Sequence, residues 1–182
     1  MRQGYTPRRV PASDDPSRPF SFLDPKDSEA LDHIRAEPWL ALDTESDPFH
    51  RYFERVCLIQ LSTRTRDFVF DPLEFEGIPE VLADIVGDVA RTVVLHGAES
   101  DVRALKQSFR LTVGTIFDTQ LAARFLGKEK TGLKDLLDVE LGVKIDKGEQ
   151  RSNWGRRPLT ESQIAYARQD TRHLLPLAER LE

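Results

Sequence analysis

The order of the apolar segments constrains the fold more than any other feature of this sequence. Three short apolar runs come first, and glycine, proline or polar residues separate them, as strands joined by hairpins require. Further apolar runs then alternate with segments whose apolar residues recur at helical spacing. The five predicted strands are Trp39–Leu42, Val56–Leu61, Asp67–Phe70, Thr92–His96 and Thr115–Phe117. This order predicts an α/β fold with a central mixed five-stranded sheet flanked by helices.

The last third of the chain is predicted to be helical. Thr160 and Gln163 have the spacing of a capping box, so a long helix is expected to begin near Glu161. It is predicted to run to about Leu175, where Pro176 can kink it. The earlier predicted helices cover about 28–36, 78–86, 100–109, 119–126 and a short segment near 133–137.

Length and composition narrow the class of protein. The chain has 182 residues, which is typical of one domain. Four prolines and four arginines among residues 1–20 predict a flexible N-terminal tail before a domain over 21–182. The single cysteine, Cys57, lies in an apolar run, so we expect a reduced thiol and a cytoplasmic protein. No apolar stretch approaches the roughly 20 residues of a membrane span, so no membrane partner is expected.

The charge balance excludes one way of binding nucleic acid. The chain carries 26 basic and 31 acidic residues, for a formal net charge of −5. It is therefore not a generic polycation that binds nucleic acid by charge alone. Bound cations can still make an acidic site attractive to a phosphodiester.

Four acidic residues occupy positions where solvated surface charges are uncommon. Asp43 and Glu45 close the first predicted strand two residues apart, so both point to the same face of the sheet. Asp101 lies in the first turn of the helix after the fourth strand, and Asp170 follows Tyr166 by four residues on the last helix. Each acid alone also fits a structural role, such as a cap. Together they predict a hard-oxygen site for Mg²⁺ or Mn²⁺.

Three motifs occur in an order that resembles the DEDD superfamily of 3′–5′ exonucleases. Residues 42–45, Leu-Asp-Thr-Glu, are similar to the first motif, and residues 95–105 are similar to the second. Residues 166–170, Tyr-Ala-Arg-Gln-Asp, are similar to the third in its tyrosine-type spacing, because Ala165 stands where the other subclass has histidine. Further similarity to ribonuclease D lies at 55–62, 117–123 and 146–160, and the resemblance covers about residues 38–178.

The resemblance implies a ribonuclease H-like fold and a two-metal-ion mechanism. Asp43, Glu45, Asp101 and Asp170 would hold two divalent cations, Mg²⁺ or Mn²⁺. Tyr166 would orient the attacking water, since a solution pKa near 10 makes it a poor general base. The implied reaction is hydrolysis of RNA from the 3′ end to nucleoside 5′-monophosphates.

The expected partners are single-stranded RNA or RNA 3′ ends, and the sequence leaves alternatives open. A DNA 3′–5′ exonuclease of the same superfamily is one, because no residue is visibly dedicated to the 2′-hydroxyl. A catalytically silent nucleic-acid-binding module is another. The chain stops soon after the third motif, so the helical nucleic-acid-binding domains of longer ribonuclease D proteins are not expected. Asn153 stands where that family usually has an acid, and no oligomer interface is legible.

Four residues are expected to bind substrate: Thr44, His96, Lys147 and Arg151. Thr44 lies between two predicted ligands, where similar enzymes meet the terminal nucleotide. His96 can contact the scissile phosphate or the terminal sugar, or it can be a hydrogen-bonded structural residue. Lys147 and Arg151 belong to a basic segment over 144–157 that can bind backbone phosphates or form a solvated surface.

Several other residues have two interpretations. Asp118 resembles part of a family motif, but an N-cap explains it as well. Gln60 can hydrogen-bond across the sheet or support the site. Trp154 is expected in the core rather than as a platform for a base, and His173 is expected on a helix surface.

Overall fold

The computed structural model describes residues 18–47, 55–145 and 148–182, and every structural statement below refers to them. The strands are β1 Phe20–Phe22, β2 Trp39–Ser46, β3 Val56–Ser62, β4 Asp67–Phe70, β5 Thr92–Leu95 and β6 Thr115–Asp118. The helices are α1 Ser28–Arg35, α2 Ile78–Val86, α3 Glu99–Phe109, α4 Thr119–Phe125, α5 Leu133–Leu136, α6 Glu161–Arg172 and α7 Leu174–Leu181. A π-helical turn, Leu137–Leu141, continues α5.

The strands form one mixed sheet with the order β1-β4-β3-β2-β5-β6. Strands β2, β3 and β4 are antiparallel neighbours, whereas β5 and β6 continue the sheet in parallel to β2. The α/β fold and all five predicted strands are confirmed. The sixth strand, β1, pairs in parallel with β4 and was not predicted, because three residues are too few to show a period.

The first described residues of the predicted tail contact the domain. Arg18 pairs with the buried Asp67 at 2.9 Å, and Phe20 opens β1. These contacts join positions 47 to 49 residues apart, which no local pattern could predict. The rest of the predicted tail, residues 1–17, lies outside the described part of the chain.

Helices cover both faces of the sheet. One apolar cluster joins α1, α2 and α3 to side chains such as Leu40 and Leu42 of β2. A second cluster joins α4 and α7 to Ala41 of the same strand. The alternation along β2 therefore places Ala41, Asp43 and Glu45 on the face covered by α6 and α7. This strand positions two of the acids that the sequence singled out.

The final helical region is interrupted three residues earlier than predicted. Helix α6 ends at Arg172, and α7 begins at Leu174. Pro176 lies in the first turn of α7, where its missing N–H leaves no helical hydrogen bond unmade. His173, between the helices, is 2% exposed, so its prediction as a surface residue was wrong. The capping box of Thr160 and Gln163 is present as predicted.

No helix within the three described ranges is long and apolar enough to cross a bilayer.

Candidate active site

Three carboxylates meet where β2 passes beneath α6. One carboxylate oxygen from each of Asp43, Glu45 and Asp170 lies within 4.8 Å of the other two. Strand periodicity places Asp43 and Glu45 on the face of the sheet that α6 covers. Helical spacing places Asp170 one turn after Tyr166, on the same side of α6. The strand period, the helical spacing and the packing of α6 on β2 therefore bring together acids that are more than 120 residues apart in sequence.

Asp101 reaches the same cavity from the other face of the sheet. Its Oδ1 accepts a hydrogen bond from the Thr44 backbone N–H at 3.1 Å and from the Thr44 hydroxyl at 2.7 Å. Thr44 alternates with Asp43 and Glu45, so it points toward α3 while they point toward α6. Thr44 therefore connects the fourth predicted ligand to the strand that carries the first two. A contact of Thr44 with substrate remains a prediction.

Burial and mutual repulsion make these acids hard to ionise. Burial raises the pKa of Asp43 well above its usual range, and the charges of Asp101, Asp170 and Glu45 add to the effect. Burial, with Asp170 and Asp101, raises the pKa of Glu45 to about 9. Burial also raises the pKa of Asp101, although its hydrogen bonds from Thr44 oppose the shift. Such a cluster binds protons or cations strongly.

The donor set fits a hard divalent cation. All the candidate ligands are carboxylate oxygens, which Mg²⁺ and Mn²⁺ prefer. A cation would replace the protons that the raised pKa values of Asp43, Glu45 and Asp101 favour. The geometry and chemistry of this cluster indicate use of a divalent metal.

Tyr166 stands beside the acids with its ring packed on a buried tryptophan. The ring centroids of Tyr166 and Trp154 are 6.1 Å apart, and Trp154 is 1% exposed. The prediction that Trp154 belongs to the core is confirmed. Burial and the nearby charge of Asp170 raise the pKa of Tyr166 above its usual value. The phenol is therefore protonated throughout the neutral range.

The cavity that contains these groups has a volume of about 340 Å³. All the described residues predicted as ligands line it, together with Tyr166, Thr44 and His96. Five lining residues were not predicted: Ser100, Gly132, Leu133, Ile145 and Gln150. Gln150 precedes Arg151 within the stretch that resembles ribonuclease D, so that stretch contained a signal for it. The other four line the cavity because the tertiary fold brings their segments there, and no sequence motif indicated them.

Asp118 links two segments near the cavity. Its carboxylate caps α4 through the N–H groups of Gln120 and Leu121, as the N-cap interpretation predicts. It also accepts hydrogen bonds from the N–H groups of Gly97 and Ala98, at 3.0 and 2.9 Å. Although burial opposes it, these four donors lower the pKa of Asp118. The turn that leads into the Asp101 helix is thereby fixed, which sequence reasoning missed.

His96 lies at the cavity with one ring nitrogen directed to the protein. The Thr119 hydroxyl donates to the Leu95 carbonyl at 3.0 Å, so it can accept the Nδ1–H of His96 at 2.9 Å. This bond orients the imidazole. Both interpretations of His96, substrate contact and structural hydrogen bond, are compatible with this position.

The arginines of the basic segment over 144–157 differ in their surroundings. Lys147 lies outside the described residues. Arg151 is exposed and is not among the described residues that line the cavity, so its role in substrate binding stays a prediction. Arg157 forms a paired contact with the buried Asp71 at 2.7 and 2.8 Å and also donates to the Cys57 carbonyl. The guanidinium of Arg157 is therefore used inside the fold, and phosphate binding by the basic segment stays a prediction for its other members.

A cluster of carboxylates beside a tyrosine, between α6 and the interior strand β2 of a mixed sheet, is typical of enzymes that use divalent cations for chemistry on phosphate esters. The family model described as 3′–5′ exonuclease matches residues 25–182. The chain belongs to this 3′–5′ exonuclease family, and the resemblance inferred from its three motifs is confirmed.

Relatives agree with this membership. Mouse exosome complex component 10 is 39% identical over 141 residues, which cover 78% of this chain and 16% of that protein. The catalytic core of RRP6 from Trypanosoma brucei has a TM-score of 0.85 and 34% identity, covering 91% of this chain and 46% of that one. Escherichia coli RNase D, an exoribonuclease involved in structured RNA processing, has a TM-score of 0.78 and 33% identity, covering 84% and 41%. The chain thus spans less than half the length of each.

Proposed function

We propose that this chain is a two-metal-ion 3′–5′ exonuclease that hydrolyses RNA to nucleoside 5′-monophosphates. The observation that carries the proposal is the meeting of Asp43, Glu45 and Asp170 within 4.8 Å in an open cavity beside Tyr166. RNA is favoured as substrate because the similar E. coli protein is an exoribonuclease. Trimming of structured-RNA 3′ ends and degradation of short oligoribonucleotides both fit this reaction.

Asp43, Glu45, Asp101 and Asp170 would hold the two divalent cations, Mg²⁺ or Mn²⁺. When bound, these cations polarise the attacking water and stabilise the leaving 3′ oxygen. The protein supplies the fixed positions: a strand holds two of the acids, α6 holds Asp170, and Thr44 holds Asp101. Ligands on rigid elements keep the reacting groups in place without rearrangement.

Tyr166 acts by position rather than by taking a proton. Because its pKa lies above the usual value, its hydroxyl stays protonated and can donate a hydrogen bond to an oxygen in the cavity. Trp154 fixes the direction of the ring. Thr44 and His96, at the cavity, and Arg151 and Lys147, in the basic segment, are the proposed contacts to the substrate strand.

The polarity of digestion tests the proposed function. We expect a 5′-labelled RNA with a free 3′-hydroxyl to be shortened one nucleotide at a time in the presence of Mg²⁺ or Mn²⁺. The same RNA with a 3′-phosphate should resist, because the terminal nucleotide no longer fits the cavity. Product sizing over time on matched RNA and DNA gives the sugar preference. Internal cuts in a circular strand would contradict exonuclease action.

Tyr166→Phe is expected to lower kcat roughly tenfold to hundredfold while KM changes little. Phenylalanine keeps the ring against Trp154 but removes the hydroxyl that orients the reacting oxygen. Steady-state kinetics on a short RNA measure the two constants separately. An equal loss in binding and turnover would show instead that Tyr166 acts mainly in holding substrate.

A further inference from the structure

Gln60 presents an unexplained buried amide beside the acidic cluster. It lies in the middle of β3 and is 1% exposed. Neither its Nε2 nor its Oε1 has a hydrogen-bond partner among the described residues. Buried polar groups are normally paired, and an unpaired one costs about 1–3 kcal/mol. The amide of Gln60 therefore needs a hydrogen-bond partner that the bonds among the described residues do not supply.

The sheet register shows which groups surround this amide. Gln60 lies directly opposite Asp43 on β2 and opposite Val69 on β4. It shares its face of β3 with Ser62, whose hydroxyl lies 2.8 Å from that of Thr171 on α6. Gln60 therefore lies beneath α6, the helix that carries Tyr166 and Asp170.

Only one of its cross-strand neighbours is polar. Val69 offers no hydrogen-bonding side chain, and Ala167, on the covering helix, belongs to the same apolar cluster as Val69. Asp43 is directly opposite, where side chains of paired strands lie about 5 Å apart at Cβ. A carboxamide N–H is a good donor to an ionised carboxylate. Gln60 can therefore act as the hydrogen-bond donor and Asp43 as the acceptor.

We propose that Gln60 is a positioning residue, whose amide N–H holds one oxygen of Asp43 so that the other is directed to a divalent cation. This inference rests on the proposed metal-dependent function. A carboxylate that binds a cation through one oxygen leaves its second oxygen available to the amide N–H of the residue opposite it on the neighbouring strand. Groups that orient a metal ligand in this way are typically worth a factor of 10–100 in metal affinity.

Gln60→Met tests the proposal, since methionine is of similar length and lacks the donor. Titration of the protein with Mn²⁺, followed by the electron paramagnetic resonance of the free ion, gives the dissociation constant. We expect it to rise roughly tenfold to hundredfold. Thermal unfolding in EDTA is the second measurement, and we expect Tm to stay unchanged or rise because two unpaired polar atoms have been removed.

Ser62→Ala is the matched control on the same strand and face. Its hydroxyl bridges Asp67 and Thr171 and faces no predicted ligand, so its removal should lower Tm and leave the Mn²⁺ dissociation constant unchanged. Asp43→Asn completes a double-mutant cycle. If Gln60 acts through Asp43, Gln60→Met should weaken residual Mn²⁺ binding no further in that background.

The outcomes separate this inference from the function on which it rests. Failure of the wild-type protein to bind Mn²⁺ would overturn the proposed function itself. Wild-type binding with an unchanged dissociation constant in Gln60→Met would overturn only the role of Gln60. Independent, additive losses in the cycle would also overturn it. Gln60→Leu is the second variant, and gross unfolding of both variants would assign Gln60 to the fold and reject the proposal.

Discussion

Asp170→Asn is expected to lower the rate of RNA hydrolysis at least a hundredfold and, at the same time, to stabilise the protein in EDTA. The rate falls because an amide replaces a carboxylate that would bind the cations, and Asp43→Asn should act in the same way. The stability rises because Asp170 contributes to the raised pKa values of both Asp43 and Glu45. A neutral side chain at the same position removes that repulsion.

A lower rate together with a higher Tm in Asp170→Asn would distinguish a metal ligand from a structural residue. Rates are measured under single-turnover conditions, and Tm is measured in EDTA and in excess Mg²⁺. Glu80→Gln is the matched control, since Glu80 is exposed on α2, on the opposite face of the sheet. It should leave the rate unchanged and lower Tm only slightly, because it removes one acidic charge from the first turn of α2. Near-wild-type turnover in Asp170→Asn would reject the assignment of the site.

The candidate site was largely predictable because local geometry fixes its side chains. A period of two places Asp43 and Glu45 on one face of a strand, and a spacing of four places Tyr166 and Asp170 on one side of a helix. These rules need no knowledge of the tertiary fold. The order of the strands and helices then predicted a mixed sheet that could bring the two elements together.

Features that depend on long-range pairing could not be predicted in this way. The ion pair of Arg157 and Asp71 joins residues 86 positions apart, and nothing near Arg157 distinguishes it from a solvated arginine. The hydrogen bonds from Gly97 and Ala98 to Asp118 likewise depend on the fold. They form because β5 and β6 are parallel neighbours, so that α3 and α4, which follow them, begin close together. A local sequence pattern predicts the secondary structure and the chemical type of a side chain. Which residue that side chain contacts depends on the tertiary fold.

The metal-free protein is expected to lose stability as the pH rises from 6 to 9. Burial and the neighbouring acids raise the pKa of Glu45 to about 9, compared with 4.5 in an unfolded chain. Between these values the folded state holds a proton that the unfolded state has released. The free energy of unfolding therefore falls as pH rises, by up to about 1.4 kcal/mol per pH unit for each such proton. The loss ends once the pH exceeds the folded pKa.

Urea unfolding in EDTA at pH 6, 7, 8 and 9 measures this slope, and Glu45→Gln should reduce it. Saturating Mg²⁺ should restore stability most at pH 9, because within this range protons compete least with the cation for the carboxylates at that pH. A cation at one hundred times its dissociation constant adds about 2.7 kcal/mol. A flat profile in EDTA, or equal stabilisation by Mg²⁺ at pH 6 and pH 9, would contradict the view that proton and cation occupy the same acids. The same coupling would make the protein release protons when it binds cations, so that the proposed activity would depend on the pH and the free Mg²⁺ concentration together.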